Sequence, residues 1–174
     1  MKEILLVGNG PSVLDSERGQ EIDEFPCVAR FNKFVVKGYE KYVGTKCNVW
    51  VTGNRHPRWQ KRYDYDEVIY ICQRKSQKFD LFKTELPRAE LIPRWVWDEV
   101  RQKAGKGVHP SSGLLAAYYF SKSYDKVYIY GYDYFYSSRH YYSDISLSTR
   151  HIPEKEKMVM DELKETGIVK EFAA

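Results

Sequence analysis

Four short stretches carry residue types suited to holding and moving charge. Gly8-Asn9-Gly10-Pro11-Ser12 is a glycine-rich loop with an amide and a hydroxyl. Pro110-Ser111-Ser112-Gly113 places hydroxyls and a glycine just ahead of the small, apolar run Leu114–Phe120. At a helix start such a loop leaves backbone N–H groups converging on one spot, where free donors and the helix dipole favour an anion. The same residues also suit the N-cap of a buried helix, and both readings stand. His140 lies in Asp133–Tyr142, a stretch with five aromatic residues and few aliphatics that reads as a loop lining a site. His151 comes just before Pro153 and is expected to face out of the fold. With an ordinary pKa of about 6.5, either imidazole is largely neutral at pH 7 and able to take a proton. His56 and His109 are read as structural or surface residues.

The elements that must position these residues alternate between strand and helix. Ile4–Val7 is a continuous apolar run, as expected of a strand buried on both faces of a parallel sheet, and it leads directly into the Gly8–Ser12 loop. Further strands are predicted at Cys27–Phe31, Asn48–Val51, Val68–Cys72, Leu91–Ile92 and Val127–Tyr130, the last ending at Gly131. Arg30 and Asn32 fall at the end of the second strand, where a parallel strand delivers side chains to a cleft. A short polar helix is expected over 16–24, a turn at Tyr42–Lys46, a helix from about 95 to 103, and one starting at Pro153 with an apolar face drawn from Met158, Val159, Met160 and Leu163. Most of 73–94 reads as loop. The alternation predicts an α/β, Rossmann-like fold, a mostly parallel twisted sheet flanked by helices, in one domain over 1–174. In such folds ligands bind beyond the strand ends. The first loop lacks the third glycine of the dinucleotide fingerprint, so it does not imply NAD.

The 174-residue composition narrows the function classes. A net charge of +4 permits an anionic ligand without requiring one. Basic residues gather at Arg55, Arg58, Lys61 and Arg62 and at Arg74, Lys75 and Lys78, which reads as a solvated face. The modest charge and the lack of a nucleic-acid-binding motif argue against nucleic acid as a partner. A basic patch could meet an anionic lipid surface, but no strongly amphipathic basic helix supports membrane association. Cys27, Cys47 and Cys72 are odd in number and widely spaced; they suggest neither a metal site nor a disulfide framework, and a reducing compartment is expected. No signal peptide or membrane-spanning run is visible in the chain.

Taken together, the motifs resemble those of glycosyltransferase family 29, the sialyltransferase family, in the correct order. The family's large motif is similar to Val7–Ser12, continuing through Gly19–Asp23 and Val28–Asn32 to Val43–Lys46. Its small motif resembles His109–Leu115 and ends at Asp125–Gly131, with Ser112 where threonine is usual. The third motif resembles His140-Tyr141-Tyr142, with Ser143 where a glutamate often stands. The last, a histidine followed five residues later by glutamate, is met by His151 and Glu156. Animal members join a cysteine near the large motif to one near the small motif. Here Tyr124 holds the small-motif position and no cysteine precedes Val7, which fits a cytoplasmic protein.

The resemblance implies a GT-A-like variant of the fold and a cytidine monophosphate (CMP) sugar as donor. It implies transfer of sialic acid to a hydroxyl of a glycan or glycolipid acceptor, with inversion and without a metal or other cofactor. His151 is then the base that takes the acceptor proton. His140, with Tyr141 or Tyr142, meets the charge growing on the leaving phosphate. Asn9, Gly10, Ser12, Asn32, Ser111, Ser112, Gly113, Tyr130 and Tyr141 are expected around the donor. Glu156 is expected to stabilise the helix start or hold His151. A transferase using CMP-Kdo, which presents the same CMP and carboxylate, and a non-catalytic CMP- or carbohydrate-binding module are the alternatives.

Overall fold

The computed structural model describes residues 1–53, 65–73, 76–137, 139–144 and 151–172. The apolar runs form strands β1 (Glu3–Val7), β2 (Val28–Phe31), β3 (Val49–Thr52), β4 (Glu67–Tyr70), β5 (Ala89–Leu91) and β6 (Lys126–Tyr130), to which β7 (Val169–Glu171) is added. All pair in parallel in a seven-stranded sheet of order β5-β4-β3-β2-β1-β6-β7. The helices are α1 (Gly19–Glu24), α2 (Glu40–Val43), α3 (Gln77–Glu85), α4 (Arg94–Ala104), α5 (Ser112–Phe120) and α6 (Pro153–Glu165). Among the described residues no helix is long and apolar enough to cross a membrane.

Strand periodicity divides the core. Ile4 and Leu6 join Phe31, Val51 and Ile129 on the face covered by α4, α5 and α6. Leu5, Val7 and Val28 point the other way, toward Ile22 of α1 and Val43 of α2. Trp50, Val68 and Tyr70 pack on that second side with Phe79 and Phe82 of α3. Both sheet faces are therefore dry, which is why the strands read as unbroken apolar runs.

The chain runs outward from β1 to β5, then returns to the opposite side of β1 as β6, so strand order reverses between β1 and β6. Loops at such a point diverge and leave a crevice. Here they are also tied at their base: the Gly8 N–H donates to the Tyr130 carbonyl at 2.7 Å and the Gly10 N–H to that of Gly131 at 3.0 Å. A Cβ on Gly8 would stand 2.4 Å from the Gly131 oxygen. Gly131 has φ +69°, and a Cβ there would meet Val13 at 2.3 Å.

The structure corrects the sequence reading in three places. Residues 77–85, read as loop, form α3, capped by Ser76 accepting from the Phe79 N–H. Phe79 and Phe82 are its inward contacts, too few to give a clear helical stripe. The turn expected at Tyr42–Lys46 begins as the last turn of α2 and bends at Gly44, φ +64°. The edge strand β7 was missed because only Val169 of its three residues is buried. Arg55, His56, Arg58, Lys61, Arg62, Arg74 and Lys75 lie outside the described residues.

Candidate functional site

A cleft of about 590 Å³ opens at the carboxyl ends of the strands. The loop after β1 contributes Asn9 and Gly10, the loop after β2 Asn32, and the start of α5 Ser112 and Gly113. The aromatic segment after β6 contributes His140, and His151 comes from just before α6. The fold thus brings together residues that stand far apart in the chain.

Asn9 is buried, and its Nδ2 donates to the Phe31 carbonyl at 3.1 Å. That bond fixes which end of the amide is nitrogen. The opposite end, Oδ1, is a buried acceptor without a partner, one of two such side-chain atoms among the described residues. The other, Trp97 Nε1, belongs to a residue of the same cleft. Asn32 is held with φ +48° by its neighbours: its N–H donates to Val51, and its carbonyl and Oδ1 accept from Trp50 Nε1 and the Gly53 N–H.

At α5 the Ser111 hydroxyl caps the helix by accepting from the Leu114 N–H at 3.1 Å. Its own proton goes to Glu156 Oε2 at 2.7 Å, and its N–H to Glu156 Oε1 at 2.7 Å. Ser111 is therefore spent on Glu156. The N–H groups of Ser112 and Gly113, in the first helical turn, remain to face a ligand. Burial pushes the Glu156 carboxyl up, and its bonds from Ser111 offset only part of that.

His151 does not face outward as expected. Its ring turns into the cleft, and Nδ1 lies 2.8 Å from the His109 carbonyl oxygen. A carbonyl only accepts, so Nδ1 carries the proton and the neutral ring keeps its lone pair on Nε2. Glu156 Oε1 stands 3.8 Å from the same Nδ1. The imidazole stacks with the ring of Phe135, at 4.5 Å between centroids, and lies nearly parallel to that of His109, at 5.9 Å.

His140 is partly buried, and burial pushes its pKa below the ordinary value, offset in part by a hydrogen bond to the Asn9 backbone. Its neighbours act as struts. The Tyr141 N–H donates to the Asn9 carbonyl at 3.0 Å; the Tyr141 hydroxyl meets both backbone groups of Val35; the Tyr142 hydroxyl donates to the Lys33 carbonyl.

A family model for glycosyltransferase family 29 (sialyltransferase) matches residues 2–56 and 48–168. The chain belongs to this family. Over 83 residues it is 30% identical to the human CMP-N-acetylneuraminate-beta-1,4-galactoside alpha-2,3-sialyltransferase, covering 47% of this chain and 22% of that protein. Over 107 residues it is 28% identical to the mouse lactosylceramide alpha-2,3-sialyltransferase, covering 59% of this chain and 26% of that protein. The matches thus span about a quarter of the length of these curated relatives. A mammalian sialyltransferase crystallised with Gal-beta-1-3GalNAc-ortho-nitrophenol superposes with TM-score 0.73 at 20% identity, over 98% of this chain and 69% of that one. A second mammalian sialyltransferase structure gives 0.76 at 18% identity, over 98% and 68%. These likenesses show the Rossmann-like, GT-A-like fold.

Within this family member, several residues expected at the donor are turned elsewhere. The Ser12 N–H donates to Asp133 at 2.9 Å, and its hydroxyl goes to the same carboxylate. The Tyr130 hydroxyl donates to the Val13 carbonyl at 3.0 Å, on the opposite face of the sheet. Tyr141 is a strut. Ser12, Tyr130 and Tyr141 therefore shape the cleft from behind. For Tyr130 the signal was in the sequence: Val127 and Ile129 face α5, so period two sends Tyr128 and Tyr130 the other way. The residues missed were Asp133, which anchors the first loop, Phe135, which covers His151, and His109, whose carbonyl orients it.

Proposed function

We propose that this chain transfers sialic acid from CMP-sialic acid to a glycan hydroxyl, inverting the anomeric carbon without a metal ion. The observation that carries the reading is the His109 carbonyl 2.8 Å from His151 Nδ1, which leaves Nε2 as the basic nitrogen inside the cleft. Nε2 takes the proton of the acceptor hydroxyl as that oxygen bonds to the anomeric carbon. The bond from that carbon to the phosphate oxygen breaks on the opposite side, and its electron pair leaves with CMP. The imidazolium that forms is 3.8 Å from Glu156, whose carboxylate favours it.

The leaving phosphate meets the Ser112 and Gly113 N–H groups, the positive end of α5, and His140. Donors fixed before reaction are among the largest contributions to such a step. Asn9 Oδ1 offers an acceptor to the donor's N–H or hydroxyl groups. The two relatives named above are a galactoside and a lactosylceramide transferase, which supports a galactose-bearing glycan or glycolipid as acceptor.

The test is release of CMP from CMP-sialic acid with lactose in EDTA, alongside CMP-Kdo and His151→Ala. Turnover of CMP-sialic acid that falls by about 10²–10⁴-fold in His151→Ala, with CMP binding kept, is the expected result. Binding of CMP without turnover would replace the proposal with a binding module. Preference for CMP-Kdo would reassign the sugar, and activity appearing only with added divalent metal would overturn the metal-free step.

A further inference from the structure

Phe135 is held against His151 by a backbone that works against its own preferences. Tyr134 and Phe135 have φ +49° and +65°, two of the three non-glycine residues with positive φ among the described residues. Consecutive bulky residues in that region are costly and persist only where the surroundings impose them. The imposing contact comes from α6. Lys164 Nζ donates to the Tyr134 hydroxyl at 3.1 Å and also pairs with Glu171. The other end of α6 follows directly from His151. One helix therefore anchors both the histidine and the loop that covers it.

The geometry of the cover is specific. The Phe135 and His151 rings lie at 18° to each other with centroids 4.5 Å apart. The His109 ring lies at 14° to His151 with centroids 5.9 Å apart, and Trp97 is tilted at 37° to His109 at 5.8 Å. The hydrogen bond from Nδ1 to His109 sets one atom of the imidazole. The Phe135 ring, lying nearly flat against the imidazole, sets the plane of the ring.

We propose that Phe135 is a positioning residue for the transfer step, clamping the His151 imidazole so that Nε2 keeps one direction in the cleft, and that the Lys164–Tyr134 bond holds Phe135 in place. The inference rests on the reading of His151 as base. Nothing in the four motifs marks Phe135; it stands between the small and third motifs.

The experiment compares wild type, Phe135→Ala, Phe135→Tyr and Tyr134→Phe with CMP-sialic acid and lactose, measuring kcat and KM for each substrate and the melting temperature. Phe135→Ala is expected to lose about 10- to 100-fold in kcat, since small misplacements of a reacting group cost that much. KM for CMP-sialic acid should stay within about twofold, because the clamp acts on the histidine and not on the donor. Phe135→Tyr keeps a flat ring and should restore most of kcat; Tyr134→Phe should fall between. Wild-type kcat in Phe135→Ala overturns the proposal. So does a kcat loss matched by weaker CMP binding and not rescued by Phe135→Tyr, which would mark a general packing role. The ¹⁵N spectrum of the His151 ring is read in the same proteins. Wild type and Phe135→Ala should both show the Nδ1–H tautomer that the His109 carbonyl sets, but in Phe135→Ala the Nε2 signal should shift and broaden as the ring loses its fixed plane, a result independent of turnover. A wild type that shows the clamp in this spectrum but transfers no sugar overturns the catalytic reading while the clamp stands. A Phe135→Ala spectrum identical to wild type overturns the clamp.

Discussion

The Glu156 carboxylate accepts both the backbone N–H and the hydroxyl of Ser111, each at 2.7 Å, across 45 positions of sequence. This link fastens the first turn of α6 to the start of α5. It also sets one carboxylate oxygen 3.8 Å from the His151 ring nitrogen. A single acid thereby joins the helix that supplies anion-binding N–H groups to the segment that supplies the base.

That acid should weaken the fold while helping the reaction. Burial pushes its pKa above the ordinary 4.5, so the folded state holds the proton more tightly than the unfolded one. The contribution to stability is full below pH 4.5 and is lost as pH rises through the higher folded pKa. Glu156→Gln should therefore gain in melting temperature over wild type as pH goes from 4 to 7. Its kcat at pH 7 should fall by about tenfold or more, because the imidazolium loses its negative neighbour. Thermal unfolding across pH, with kcat on the same samples, checks both. A variant less stable than wild type at pH 7 would mean that the bonds to Ser111 outweigh burial.

His140 should make CMP binding depend on pH. In the free protein its ring is biased to neutrality by burial, and one nitrogen is engaged with the Asn9 backbone. To donate to a phosphate the other nitrogen must take up a proton, which the arriving negative charge favours. Binding then takes up protons, and affinity falls as pH rises through the pKa of the complex. Calorimetry of CMP binding in buffers of different ionisation heat measures that uptake. The phosphate titrates itself near a pKa of about 6, so His140→Gln is the reference. Wild type should take up more protons than this variant between pH 6 and 8, and equal uptake would remove His140 from the phosphate.

Local chemistry was legible in the sequence and pairing across the chain was not. The loop Gly8–Ser12 and the start of α5 announced themselves because a strand end, a glycine turn and a helix cap are short-range features. So did the strands, whose apolar runs reflect burial on both faces. The direction of His151 was hidden because it depends on the carbonyl of His109, 42 residues away. Ser111 reads as a free hydroxyl until the fold brings Glu156 to it. Ser12 looks the same until Asp133 arrives, 121 residues later in the chain. Counting donors in a motif shows which groups could bind a ligand, but only the fold shows which have already been taken.

The junction of the first and sixth strands should be intolerant of one added methyl group. Gly131→Ala would place a Cβ 2.3 Å from Val13 while holding φ at +69°. The expected loss is about 2–3 kcal/mol, or roughly 5–10 °C in melting temperature for a chain of this length. Gly167→Ala separates the two causes, because Gly167 has φ +72° with nothing within 4 Å of the added carbon. It should cost only the left-handed backbone, about 1–2 kcal/mol. Equal losses in the two variants would show that the contact with Val13 relaxes.

Asn9 offers the sharpest separation of binding from folding. Its Nδ2 bond to the Phe31 carbonyl is internal, but its buried Oδ1 has no partner among the described residues, and leaving an acceptor unpaired carries a cost in the free protein. A ligand N–H or O–H that pairs with it removes that cost on binding. Asn9→Ala deletes both ends of the amide and should weaken CMP affinity by about tenfold, or roughly 1.4 kcal/mol. The loss of stability should be smaller than for a fully paired buried amide, because one of the two deleted groups was unpaired. Titration of CMP against wild type and Asn9→Ala, with unfolding curves recorded without ligand, gives both numbers. Unchanged affinity beside a large fall in stability would confine Asn9 to holding the first two strand ends together.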